Sequence, residues 1–175
     1  MLDLTQPDLR AALALAVVAL LGCAAWSDLA TRRIPDRISL AVAAVGPLAA
    51  IATGINALLW SVALAALVFV ALACLHARGW LGGGDVKLST AIVLGLPPSG
   101  CYQFFIVTVL AGGMLALLHL TLRLLPIPAA CPAGAAVLRR VCTAERWRIC
   151  RKGPLPYGIA IACGGAWAIL SGIGS

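Results

Sequence analysis

Two aspartates stand where a carboxylate needs a reason. Asp85 follows three glycines in Gly82-Gly83-Gly84-Asp85 at the head of the apolar run Val86 to Leu96, and Asp28 closes the chain's first long apolar run. A carboxylate inside or at the edge of a membrane costs roughly 3 kcal/mol on insertion scales, so one kept there has a partner or a task. Two carboxylates held close together cannot both ionise easily, so one keeps its proton while the other acts as a base. The ionised member can activate a water to attack a peptide carbonyl, and the protonated member can hydrogen-bond the developing oxyanion. That is aspartic-protease chemistry. The remaining four acids have ordinary settings: Asp3 and Asp8 in the N-terminal tail, Glu145 in a basic loop, and Asp36 after Ile34-Pro35, where an acid suits the positive end of a new helix. On composition alone, Asp28 and Asp85 could equally be two unrelated helix-end acids beside basic loops.

The elements that would hold the pair follow from composition. The 175 residues are 62% hydrophobic and 11% charged, far more apolar than a soluble domain, so the chain is an integral membrane protein. Crossing the ~30 Å hydrocarbon core takes about 20 mostly apolar residues. On that ruler the sequence gives an all-α, polytopic fold of six transmembrane helices in a single domain (1–175), with spans at about 11–27, 38–53, 56–77, 84–96, 103–122 and 155–172. A tight turn is expected around Thr53-Gly54-Ile55-Asn56, and Pro97-Pro98-Ser99-Gly100 stops the fourth span. Leu124 to Leu138 is uncharged but is interrupted by Pro126, Pro128 and Pro132, which predicts a loop or an interfacial segment. No stretch resembles a removable signal peptide, so the first run is expected to remain as an anchor.

Charge gives an orientation. Arg32, Arg33 and Arg37 lie between spans one and two, Arg78 and Lys87 between three and four, and Arg123, Arg139, Arg140, Arg146, Arg148, Arg151 and Lys152 between five and six. Twelve of the thirteen basic residues therefore fall in alternate loops, which the positive-inside rule assigns to the cytoplasm, with both termini outside. Asp28 and Asp85 then share one depth, at the cytoplasmic edge. The net charge of +7 is accounted for by topology and contact with anionic lipid heads, so nucleic acid is not expected as a partner.

The segments "SDLATRRIPDRISL" (27–40), "GWLGGGDVKL" (79–88) and "LPYGIAIACGG" (155–165) resemble, in order and over nearly the whole length, the type IV prepilin peptidases. These are six-span membrane aspartic proteases of the Gly-x-Gly-Asp type, and the short forms serving tight-adherence (Flp-type) pili are the most similar. The resemblance implies that Asp28 and Asp85 are the catalytic pair and that Gly82 and Gly84 are the motif glycines. It implies a prepilin or pseudopilin as substrate, cut at the cytoplasmic side of the bacterial inner membrane between a short basic leader and a hydrophobic stem, with no cofactor or metal. Asp36 stands where many members have asparagine, which puts a third carboxylate near the pair. The N-terminal region with paired cysteines found in longer, bifunctional members has no counterpart in these residues, so N-methylation is not implied.

Other residues have simpler readings. Lys87 lies about 200° round a helix from Asp85 and is expected to snorkel to the interface, with tuning of the pair or substrate contact as the alternative. Arg32 and Arg33 serve topology and lipid contact, or contact the substrate. Tyr157 is an interface anchor or a hydroxyl near the site. His76 and His119 form no His-Glu-x-x-His, which argues against a metalloprotease. The seven cysteines include no Cys-x-x-Cys pair and read as small buried or loop residues. Gly112-Gly113 and Gly164-Gly165 suit close helix packing. Three rivals remain. A presenilin-like protease would pair Gly-x-Gly-Asp with Tyr-Asp and Pro-Ala-Leu motifs, absent here. A small proton-coupled carrier would favour an internal repeat and midplane acids. A structural secretion subunit would use neither aspartate.

Overall fold

A computed structural model describes residues 6–51, 55–125, 137–151 and 153–172. Asp3, the expected turn at Thr53-Gly54, the segment with Pro126, Pro128, Cys131 and Pro132, and Lys152 lie outside them. The described residues form seven helices and no strand: α1 (Gln6–Thr31), α2 (Asp36–Ile51), α3 (Ile55–Ala77), α4 (Gly83–Val93), α5 (Pro98–Arg123), α6 (Val137–Cys150) and α7 (Tyr157–Ser171). By length and composition Asp8–Thr31 of α1, and all of α3 and α5, can cross a membrane; α7 is apolar but shorter. Their outer faces carry Leu59, Leu67, Phe69, Val109, Met114 and Leu117 in the open, as a chain solvated by lipid requires.

The shortest helix lies at the centre. α4 packs against α2, α3 and α7, and it buries Val86, Leu88, Ser89, Ala91, Ile92 and Val93, with Lys87 its one exposed residue. At ~1.5 Å per residue its length is about 16 Å, roughly half the hydrocarbon core. The segment expected as a span over 84–96 is this helix followed by the turn Leu94–Leu96. Pro97 and Pro98 start α5, and a Cβ on Gly95 would lie 2.7 Å from the Gly46 Cα, so the turn presses against α2.

α7 is wedged between α5 and α1. A Cβ on Gly164 would collide with Thr108 Oγ1 of α5, and one on Gly165 would come within 2.9 Å of Leu21 of α1 and 3.0 Å of Ile92 of α4. Two adjacent glycines thus let α7 touch three helices, the role small residues take where lipid supplies no hydrophobic drive. Gly112 lies against the ring of the half-exposed Tyr157, whereas Gly113 faces open space.

α6 is the element that the apolar pattern does not reveal. Its inward positions include Glu145, Arg148 and Ile149, so a largely ionic face turns toward the protein, and the helix is too polar to be found as a span. Arg148 donates to the carbonyls of Leu29 (2.9 Å) and Ala30 (3.1 Å), and Arg146 to that of Leu122 (2.8 Å), while Arg123 of α5 donates to Ile149 O (3.2 Å). α6 therefore lies across the C-terminal ends of α1 and α5 and supplies donors to their last carbonyls.

Candidate active site

Asp28 sits in the last turn of α1. Its carbonyl accepts the Arg32 N–H at 2.8 Å, and Arg32 has φ +57°, the left-handed conformation that closes a helix and that glycine ordinarily fills. Ser27 Oγ donates to Arg33 O (2.8 Å), which pins the linker into Ile34-Pro35 and α2. The Asp28 side chain is 8% exposed, and its Oδ2 accepts the backbone N–H of Gly158 at 2.8 Å. Gly158 is the second residue of α7, so this N–H is one that the helix itself cannot satisfy, and it carries the positive end of the helix dipole. A Cβ at Gly158 would lie 2.8 Å from both Cβ and Oδ2 of Asp28, so the contact exists only because residue 158 lacks one.

Asp85 is the third residue of α4. α3 ends at Gly79 (φ +77°), with Gly79 N–H donating to His76 O (2.8 Å) and Trp80 N–H to Leu75 O (3.1 Å), a closed helix terminus. His76 Nδ1 then donates to Leu81 O at 2.7 Å and turns the chain toward Gly82, whose extended backbone starts α4 without a side-chain cap. The Asp85 carboxylate turns back to the Gly82 N–H. A Cβ on Gly84 would meet the Ile34 Cβ at 3.2 Å, which sets the start of α4 against the α1–α2 linker, whereas one on Gly83 would make an ordinary 3.5 Å contact with the His76 ring. Packing thus draws α1, α4 and α7 together at one end of the bundle, where Asp28 and Asp85 interact electrostatically.

The other candidate residues divide around this pair. Lys87 Nζ donates to both carboxylate oxygens of Asp36, at 2.8 and 2.9 Å, so the third carboxylate is engaged in a largely exposed ion pair across the starts of α2 and α4. Lys87 therefore does more than reach for the interface. Arg33 is exposed, but Arg32 turns inward and pairs with Glu145. Glu145 is buried and also accepts from His119 Nε2 (3.2 Å) and Arg148 Nη1 (3.5 Å). Burial pushes the Arg32 guanidinium below its usual range, and the charges of Glu145 and Asp28 oppose that shift.

Sequence reasoning missed three of these residues: Glu145, treated as an ordinary loop acid; His119, considered only for a His-Glu-x-x-His motif; and Gly158, present only within the 155–165 segment. The available signals were a single acid within the strongly basic 123–152 region and a glycine directly after Pro156-Tyr157. Beside the site, a groove of about 660 Å³ opens between Ala30 and α6, lined by Val137, Arg140, Val141, Ala144 and Trp147; neither aspartate lines it. Among the described residues no three His, Cys, Asp or Glu side chains gather in a form that could hold a metal ion.

A family model described as the type IV leader peptidase family matches residues 15–117, a stretch that begins in α1, ends in α5 and contains Asp28, Gly82, Gly84 and Asp85. The chain belongs to this family. Membership makes it a peptidase, set in the membrane by its apolar helices, and removes the carrier and the purely structural subunit from consideration. No curated protein and no solved structure matches the chain. In this leader peptidase α6 and α7, with Glu145 and Gly158, lie beyond the matched residues.

Proposed function

We propose that the protein is an aspartic endopeptidase that removes the leader of prepilins or pseudopilins at the cytoplasmic face of the inner membrane. The observation that carries this reading is that Asp28 and Asp85, from helices separated in sequence, lie at the same end of the bundle, near enough for the charge of Asp28 to act on Asp85. The basic segments converge on that same end through the Arg32–Glu145, Lys87–Asp36 and Arg148–Leu29 contacts, and the positive-inside rule makes it the cytoplasmic one. Helices α1 to α5 and α7 are the six membrane-embedded elements, with α4 too short to cross unaided. Both termini are outside.

In the mechanism, Asp28 is the base. The Gly158 N–H and the neighbouring Arg32 and Arg148 charges suit its ionised form, and among the described residues no cation stands in the same relation to Asp85. Asp28 takes a proton from the attacking water, and Asp85 donates a hydrogen bond to the carbonyl oxygen as it becomes an oxyanion. Collapse of the tetrahedral species breaks the C–N bond, with a proton passing to the leaving amine. Gly82 and Gly84 leave the start of α4 free of side chains, so an extended peptide can lie close to its backbone. Asp36, held by Lys87, takes no part. Neither metal nor organic cofactor is needed, and membrane lipid is the remaining partner.

The test is co-expression with the prepilin encoded nearest to this gene, in cells lacking their own leader peptidase, followed by mass measurement of the pilin. Loss of the leader's mass is expected. An unprocessed pilin, with the protein present in the membrane, would count against the reading.

A further inference from the structure

The Arg32–Glu145 cluster is more elaborate than topology requires. Arg32 keeps a left-handed backbone that suits glycine better, and its side chain turns into the protein one helical turn beyond Asp28. Only Nη2 has a partner, Glu145; Nε and Nη1 are shielded from solvent and have no hydrogen-bond acceptor among the described residues. Enclosed donors on a charged group are costly to leave unmade, and they cluster where a ligand completes them. Glu145 is tied in turn by His119 of α5 and by Arg148, which also holds the last carbonyls of α1. Three helices thus fix one guanidinium beside Asp28.

We propose that Arg32 is a substrate-orienting residue whose Nε–H and Nη1–H receive a backbone carbonyl oxygen of the bound peptide, and that Glu145 is the positioning residue that aims it. The inference rests on the peptidase reading of Asp28 and Asp85. A neutral acceptor fits better than a carboxylate, because Glu145 and Asp28 already face the Arg32 and Arg148 charges, and a third anion would meet repulsion from both. α6, outside the matched family segment, thereby becomes part of the site.

Arg32→Gly is the informative variant, since glycine takes φ +57° freely, so the side chain is removed without backbone strain while His119 and Arg148 still hold Glu145. The probe is the prepilin whose cleavage establishes the proposed function, with full-length protein in detergent micelles. KM is expected to rise about 10- to 100-fold, as for loss of a charged hydrogen bond to substrate, with a smaller fall in kcat because the Arg32 charge also favours ionised Asp28. Guanidinium ion at low millimolar concentration should recover part of the loss. Glu145→Gln should move KM in the same direction by less, and the double variant should be no worse than Arg32→Gly, because the two act in one chain of contacts. A purely structural role predicts less folded protein at unchanged KM, no rescue, and additive losses, and any of these overturns the proposal. Unchanged KM in Arg32→Gly, with Asp28→Asn inactive, overturns this inference alone; cleavage persisting in Asp28→Asn overturns the reading beneath it.

Discussion

Replacing Gly158 by alanine adds a single methyl group at the most crowded point of the site. That methyl would sit 2.8 Å from Asp28 Cβ and Oδ2 and 3.0 Å from its Cγ, where relaxed carbon contacts need about 3.5 Å or more, so the first turn of α7 and the last turn of α1 must separate by about 0.7 Å. Overpacking of this kind costs roughly 1–3 kcal/mol. Separation also stretches the 2.8 Å Gly158 N–H···Asp28 bond, a hydrogen bond to a charged group worth about 1.5–3 kcal/mol. Because displacement of a reacting group by about 1 Å can lower a rate roughly 100-fold, Gly158→Ala should cut prepilin cleavage by about two orders of magnitude while the protein still reaches the membrane. The paired control is Gly83→Ala, whose methyl would make only a 3.5 Å contact with His76, and whose cleavage should stay near the unmodified rate. The assay is initial-rate conversion of prepilin to pilin in isolated membranes, normalised to the amount of each variant. Cleavage by Gly158→Ala at the unmodified rate would refute the argument that α7 holds Asp28 through a contact only glycine allows.

Three further outcomes follow from the same geometry. Glu145→Ala strips a buried acid from Arg32, His119 and Arg148, and should lower stability by about 3–5 kcal/mol, read as a reduced melting temperature in detergent. Lys87→Gln breaks an exposed pair worth about 0.2–1 kcal/mol and should leave cleavage within a few-fold, as measured in the membrane assay. The pH–rate profile of the unmodified enzyme should be bell-shaped, because the dyad works only with one proton between its two carboxylates, and Lys87→Gln should not change its shape.

The long apolar helices could be read from sequence because lipid demands them: uncharged runs give α1, α3 and α5, and the Pro97-Pro98 break separates α4 from α5. Asp85 was legible because three glycines before an acid are a local pattern, and Asp28 because it ends an apolar run. The unread parts depend on contacts between residues far apart in the chain. Gly158 meets Asp28 across 130 positions, and Arg32 meets Glu145 across 113, so neither spacing nor periodicity marks them. α6 escaped because its inward face is ionic, and the rules that find buried helices look for apolar stripes. The short α4 was found as an apolar run, but such a run records that a segment is buried, not whether lipid or protein covers it. Asp36 reads in sequence as a third carboxylate near the pair, and only the fold shows that Lys87 is its partner.

The central claim is that Asp28 and Asp85, and no other acid, perform the hydrolysis. It is tested most directly by the mass of a prepilin co-expressed with Asp28→Asn, Asp85→Asn or Asp36→Asn, each shown to be present in the membrane. The account predicts full-length prepilin with the first two and processed pilin with the third; processed pilin with either of the first two, or full-length prepilin with Asp36→Asn, would contradict it.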